Sequence, residues 1–247
     1  MHTQPPNGYS SPTNTCAMIS ARPSMKHESW PEALSGREEN SWVIFDMDGT
    51  LWDTTELITE AWNTAFRENP STRQIRITRE QLLSYMGKTM DCFARALLPE
   101  LPFEEAMEVM GHCMELENSW LRTRGAVLYP GLEETFAGLA DRHCSIGIIS
   151  NCQQGYIEAF LDHYSFRRYV SDTLCWGDTG RGKADNLRQM IEGHRIGSCC
   201  YVGDTQGDLD ACREAGVPFV YASYGFGSVD RPVPEIRSLT ELLTEEK

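Results

Sequence analysis

Positive charge is scarce in this 247-residue sequence: 22 Lys and Arg stand against 36 Asp and Glu, a formal net charge of -14. Nucleic-acid binding runs on cations that neutralise phosphates, so the balance argues against that class of partner. An anionic substrate would also meet overall repulsion, and any phosphate site here needs a local cation. No apolar run approaches the length of a membrane-spanning helix, and the N-terminal stretch has no signal-peptide core, so no membrane is expected. None of the nine cysteines forms a C-x-x-C pair, and the odd count with Cys199 beside Cys200 gives neither a zinc spacing nor a disulfide framework. Reduced thiols in a cytoplasmic protein are the expectation. No internal repeat is present.

Apolar residues make up 40% of the chain, enough for a sizeable core. Residues 1–40, rich in Pro, Ser, Asn and Gly, read as a disordered leader, with Met18 and Met25 as alternative starts. Order is expected from Trp42-Val43-Ile44-Phe45, an apolar run stopped abruptly by Asp46-Met47-Asp48-Gly49-Thr50. Such a run suits a strand buried on both faces, and similar runs follow at 145–150, 199–203 and 217–221. Helical patterns alternate with them, from Leu132 to Leu139 and over 155–164, 184–192 and 208–215, the last stopped by Gly216. This alternation predicts an α/β fold, a doubly wound parallel sheet with helices on both faces. Between the first two strand signals lies a long stretch of amphipathic helical patterns at 60–67, 79–85, 91–98 and 104–121. It predicts an inserted α-helical cap over 55–127, with residues 41–54 and 128–247 forming the core.

Polar groups then fall at the carboxyl ends of the expected strands, the edge where ligands bind in open parallel sheets. Asp46 and Asp48 stand two apart at the first strand end. Two acids so close need a cation or a shared proton. With a hard divalent ion, one can remain ionised as a nucleophile while the other handles protons. Asp204 and Asp208, in Gly203-Asp204-Thr205-Gln206-Gly207-Asp208, can supply oxygens for the same ion. Lys183 would neutralise remaining charge, and Ser150, beside Asn151, would donate to a phosphoryl oxygen. Together these are the parts of a phosphoryl-transfer site.

The order DxDGTxxD at 46–53, Ser150-Asn151, Lys183 and GDxxxD at 203–208 resembles the haloacid dehalogenase superfamily, over roughly residues 42–228. The helical insert resembles the cap of its phosphoglycolate-phosphatase-like branch. The resemblance implies a magnesium-dependent phosphatase acting on a small phosphorylated metabolite, with Asp46 as nucleophile and Asp48 as general acid and base. It further implies that Mg2+ is held by Asp46, the Asp48 carbonyl and Asp204, with Asp208 on a metal-bound water, and that Thr50 and Asn151 contact substrate. A phosphomutase of the same superfamily and an idle binding protein on the same scaffold remain alternatives. In the cap, Gly87 breaks a helix and leaves Lys88 on a loop that the resemblance hangs over the site. Lys88 there either favours a second anionic group on the substrate or is a solvated loop lysine. Trp62, Phe66 and Trp120 are expected in the cap core.

Overall fold

The computed structural model describes residues 31, 34 and 40–244. The central element is β1 (Ser41–Phe45), whose five residues are all buried. It lies inside a six-stranded sheet with β4 (Ser145–Ser150) on one side and β6 (Ser198–Gly203) on the other. Beyond β4 lies β5 (Val170–Cys175), and beyond β6 lie β7 (Phe219–Ala222) and β8 (Glu235–Ile236), with every pairing parallel. The register Trp42↔Ser145 and Trp42↔Cys199 brings the carboxyl ends of β1, β4 and β6 level. Because the chain goes to β4 on one side and β6 on the other, a crevice opens above β1.

Helices cover both faces. The helix α1 (Thr55–Glu68) follows β2 (Trp52–Asp53), then come α2 (Arg79–Leu83), α3 (Met90–Leu97) and the 22-residue α4 (Phe103–Arg124). These four form the inserted helical unit. The chain then returns through β3 (Val127–Leu128), which pairs antiparallel with β2, Trp52↔Leu128 and Asp53↔Val127. After β3 come α5 (Leu132–Asp141), α6 (Tyr156–His163), the short α7 (Trp176–Thr179), α8 (Lys183–His194) and α9 (Gln206–Ala215). In α1 the buried set Ile58, Ala61, Trp62, Ala65 and Phe66 recurs at three- and four-residue steps, one apolar stripe laid on α4. The facing stripe of α4 runs Ala106, Val109, Met110, Cys113, Glu117 and Leu121, apolar except for one carboxyl.

The sheet is the expected α/β architecture, with more strands than the apolar runs indicate. In β5 (VSDTLC) only Cys175 is fully buried, so no continuous apolar run marks it. Residues 1–30 of the expected leader lie outside the described residues. Its described residues behave otherwise than expected: Leu34 is 2% exposed and joins the main core, and its carbonyl accepts from Arg142 Nη1 at 3.2 Å. Asn40 Nδ2 donates to the carbonyls of His194 and Arg195 at 3.0 and 2.9 Å. A lone Leu among polar residues has no periodicity, which is why the sequence conceals this anchor.

Candidate active site

The tight turn after β1 decides where the acids point. Gly49 sits at φ +84, in the left-handed region that glycine enters without strain. A Cβ there would lie 2.2 Å from Asp204 Oδ2, so the turn packs directly against the acid at the end of β6. Asp204 Oδ1 accepts from Thr50 Oγ1 at 3.2 Å, and Oδ2 accepts from the Phe226 amide at 2.8 Å. Thr205 caps α9: its side chain accepts from the Asp208 amide, while Asp208 Oδ2 accepts from the Thr205 amide at 3.0 Å.

Lys183, at the start of α8, reaches into this cluster from the side. Its Nζ lies 2.7 Å from Asp46 Oδ1 and 2.5 Å from Asp208 Oδ1, with all three side chains nearly fully buried. Burial works against the lysine charge, but Asp208 and Asp46 outweigh it and hold its pKa above the ordinary value. Burial raises the Asp46 carboxyl well above the carboxylate range, although Lys183 pulls the other way. Asp204 rises to about 7, through burial and then through the charge of Asp208. One lysine therefore leaves several buried acids under-neutralised.

Ligand atoms of Asp46, Asp204 and Asp208 all lie within 4.8 Å of one another. Hard oxygen donors this close, held up by burial and mutual repulsion, suit a divalent cation such as Mg2+. The glycine at position 49 keeps clear the space beside Asp204 that a Cβ would fill. The residues present therefore fit a metal.

Asp48 points elsewhere, into a cavity between sheet and helical insert. Its Oδ1 accepts from Tyr156 Oη at 2.6 Å and from Thr54 Oγ1 at 2.7 Å. Burial raises its pKa to about 6, while those two hydrogen bonds pull it back down. The cavity has a volume of about 30 Å3, and Asp46, Asp48, Ser150 and Asn151 line its core side. Asn151 Nδ2 donates to the Gly87 carbonyl at 2.8 Å, which ties the core to the cap loop. Lys88 lines the same cavity but is exposed, with its Nζ 4.7 Å from the centre of the Tyr85 ring.

Thr50 is fully buried and gives its hydroxyl to Asp204, so it supports the acid cluster. Trp62 is buried as expected, yet it also lines the cavity, and its Nε1 donates to Glu117 Oε2 at 2.6 Å. Asp53, the last acid of the first motif, accepts from the Thr55 amide at 2.9 Å and pairs with Arg79 at 2.9 Å, so it anchors the cap helices. Tyr156, Thr54, Glu117 and Gln153 are the neighbours of Asp48 and the cavity that motif reading misses. Glu117 leaves a trace in the sequence, as the acid on the buried stripe of α4. Tyr156 leaves none, because an aromatic on a helix after a strand reads as core.

Residues 43–222 match the haloacid dehalogenase-like hydrolase family. The chain is 25% identical over 195 residues to the phosphoglycolate phosphatase of Photobacterium profundum, covering 74% of this chain and 83% of that protein. A haloacid dehalogenase-like hydrolase from Bacteroides fragilis superposes with a TM-score of 0.72 at 20% identity, covering 83% of this chain and all of that one. CbbY from Rhodobacter sphaeroides, solved in complex with xylulose-(1,5)bisphosphate, superposes with a TM-score of 0.64 at 19% identity, covering 82% and 96%.

Proposed function

Because this chain belongs to the haloacid dehalogenase-like hydrolases and is a phosphatase, we propose that it hydrolyses a small phosphate monoester with magnesium, through a phospho-aspartyl intermediate on Asp46. The observation that carries this reading is the division of labour between the two acids of the first turn. Asp46 lies in the cluster with Lys183, Asp204 and Asp208, whereas Asp48 is turned into the cavity by Tyr156 and Thr54.

Asp46, Asp204 and the carbonyl of Asp48 would hold the metal, with Asp208 behind them. Bound there, Mg2+ would offset the acids and polarise the phosphoryl oxygens. Lys183 keeps Asp46 oriented and adds positive charge where phosphoryl charge develops. In the first step an Asp46 oxygen attacks phosphorus, the bond to the leaving oxygen breaks, and Asp48 gives that oxygen its proton. Both donors to Asp48 sit on Oδ1, which leaves Oδ2 to carry the proton. In the second step Asp48 takes a proton from water as the water attacks phosphorus, which frees phosphate and restores Asp46. Ser150, at the end of β4, donates to a phosphoryl oxygen.

Phosphoglycolate and other phosphorylated metabolites are candidate substrates of such a site. Were the ester to carry a second anionic group, Lys88 at the cavity edge is the cap residue that would meet it. The reading is tested with the full chain and an aryl phosphate. Turnover is expected with magnesium, to be abolished by EDTA and by Asp46→Asn, and restored in the native protein by added magnesium. Full rate in Asp46→Asn would falsify the covalent mechanism.

A further inference from the structure

The half of the cavity that faces away from Asp46 belongs to the cap. Its walls are mostly apolar, from Ile58, Leu82, Met86, Met90 and Phe93, and they hold one carboxyl, Glu117. Glu117 is 2% exposed, and its partners are donors: Trp62 Nε1 on Oε2, and the side chain of Gln153. A carboxylate offers about four acceptor positions, so acceptor capacity remains on the cavity side. A second observation points the same way. Asn151 Oδ1, buried in the same wall, has no hydrogen-bond partner, and the bond from its amide nitrogen to the Gly87 carbonyl fixes the orientation of the group. Two buried acceptors thus face a space whose remaining lining is largely apolar. The one cation among the cavity-lining residues, Lys88, is exposed.

An unpaired buried acceptor is costly, and a bound group that supplies the missing donor recovers that cost. A group bearing another carboxylate adds a further acceptor to the same wall and leaves the Asn151 oxygen unpaired. Resting on Asp46 and Asp48 as the phosphoryl side of the site, we infer that the substrate's leaving group presents a hydrogen-bond donor, hydroxyl or ammonium, to Glu117 and Asn151. Glu117 is then a specificity-determining residue, and the preferred esters are those of polyols or amino alcohols rather than phosphoglycolate. Burial is the first cause that raises the Glu117 pKa, to about 8, with the charge of Asp48 adding to it. A hydroxyl meets the neutral acid, and an ammonium would draw off its proton.

The test uses the full chain with magnesium on 2-hydroxyethyl, 2-aminoethyl and ethyl phosphate and 2-phosphoglycolate, with p-nitrophenyl phosphate alongside. Sites built to bind a substrate donor reject analogues that lack it. One or both of the hydroxyl and amino esters should therefore exceed ethyl phosphate and phosphoglycolate at least tenfold in kcat/KM. Glu117→Gln tells the two sources apart. It should erase an advantage that depends on ammonium and largely keep one that depends on hydroxyl, which Glu117→Leu should then remove. If ethyl phosphate or phosphoglycolate equals the better donor ester while p-nitrophenyl phosphate is turned over, this inference falls and the phosphatase site stands. If no ester is turned over, both fall. The native series decides even where a variant fails to fold.

Discussion

Tyr156 and Thr54 crowd two donors onto one oxygen of Asp48, and the consequence is electrostatic as well as geometric. Both bonds favour the ionised acid and oppose the burial that lifts its pKa to about 6. Tyr156→Phe removes one of them, so the Asp48 pKa rises. The descending limb of kcat/KM for an alkyl phosphate, which follows loss of the Asp48 proton, should move to higher pH. The maximal rate should fall roughly tenfold, a part of what general acid–base help is worth. A limb that stays in place would show that the phenol does not tune the acid. For Glu117 a shift of the same sign bears on stability. Its pKa is raised from 4.5 to about 8 by burial, so the folded chain holds a proton that the unfolded chain releases. Its contribution to stability is complete below the unfolded value and is lost as pH climbs through 8. Glu117→Gln, which keeps an acceptor for Trp62, should gain stability relative to native between pH 5 and pH 8, by on the order of 3 kcal/mol. Urea melts at the two pH values measure this, and a constant difference would mean that Glu117 does not hold the proton. Asp46, Asp48 and Asp204 are legible in the sequence because they follow apolar strands, and Lys183 because it falls in order between Ser150-Asn151 and Asp204, at the start of α8. The cap residue Glu117 is placed by helix packing, 69 positions after Asp48 in the chain, and no short motif joins the two.

The turn between β1 and α1 is a single mechanical piece. The amides of Thr50 and Leu51 bond back to the Met47 carbonyl at 3.1 and 2.8 Å, and the Gly49 amide donates to the Trp52 carbonyl at 3.0 Å. Gly49→Ala would force a side chain into the left-handed region, costing about 1–2 kcal/mol. The new Cβ would also land on the Asp204 carboxylate. Misplacing a catalytic group by about 1 Å costs roughly 10²-fold, so magnesium-supported turnover should fall by about that much while the fold persists. A Gly49→Ala protein with native kcat and native magnesium dependence would show that Asp204 tolerates displacement. The strands around this turn are readable because β1, β4 and β6 are buried on both faces and so carry unbroken apolar runs. The edge strand β5 and the two-residue β8 escape such reading, since partial exposure admits Ser, Asp, Thr and Glu. In the first turn of α9 the acid at 208 lies where the helix dipole favours it, and Thr205 is the cap.

Two described residues ahead of β1, Leu34 and Asn40, are tied to the rest of the molecule. Leu34 packs into the main apolar cluster, and Asn40 ties the start of β1 to the end of α8. A chain that starts at Ser41 should therefore melt lower than the full chain. Leu34→Ala alone should cost roughly 2–4 kcal/mol, as deletion of a buried leucine does. Equal melting temperatures for all three proteins would overturn this. The cavity between sheet and inserted helices holds about 30 Å3, room for about two waters. Both connections to the cap run side by side, as the pairs Trp52↔Leu128 and Asp53↔Val127 of one small ribbon. A chain that leaves a sheet and rejoins it at neighbouring residues is topologically a loop, however much it folds on the way. Doubling the length of such a loop adds only about 0.6 kcal/mol of closure entropy. The inserted helices can therefore be lengthened, pruned or exchanged in descendants of this gene without re-registering a single strand beneath Asp46. Diversification of substrate and preservation of chemistry become separately heritable changes.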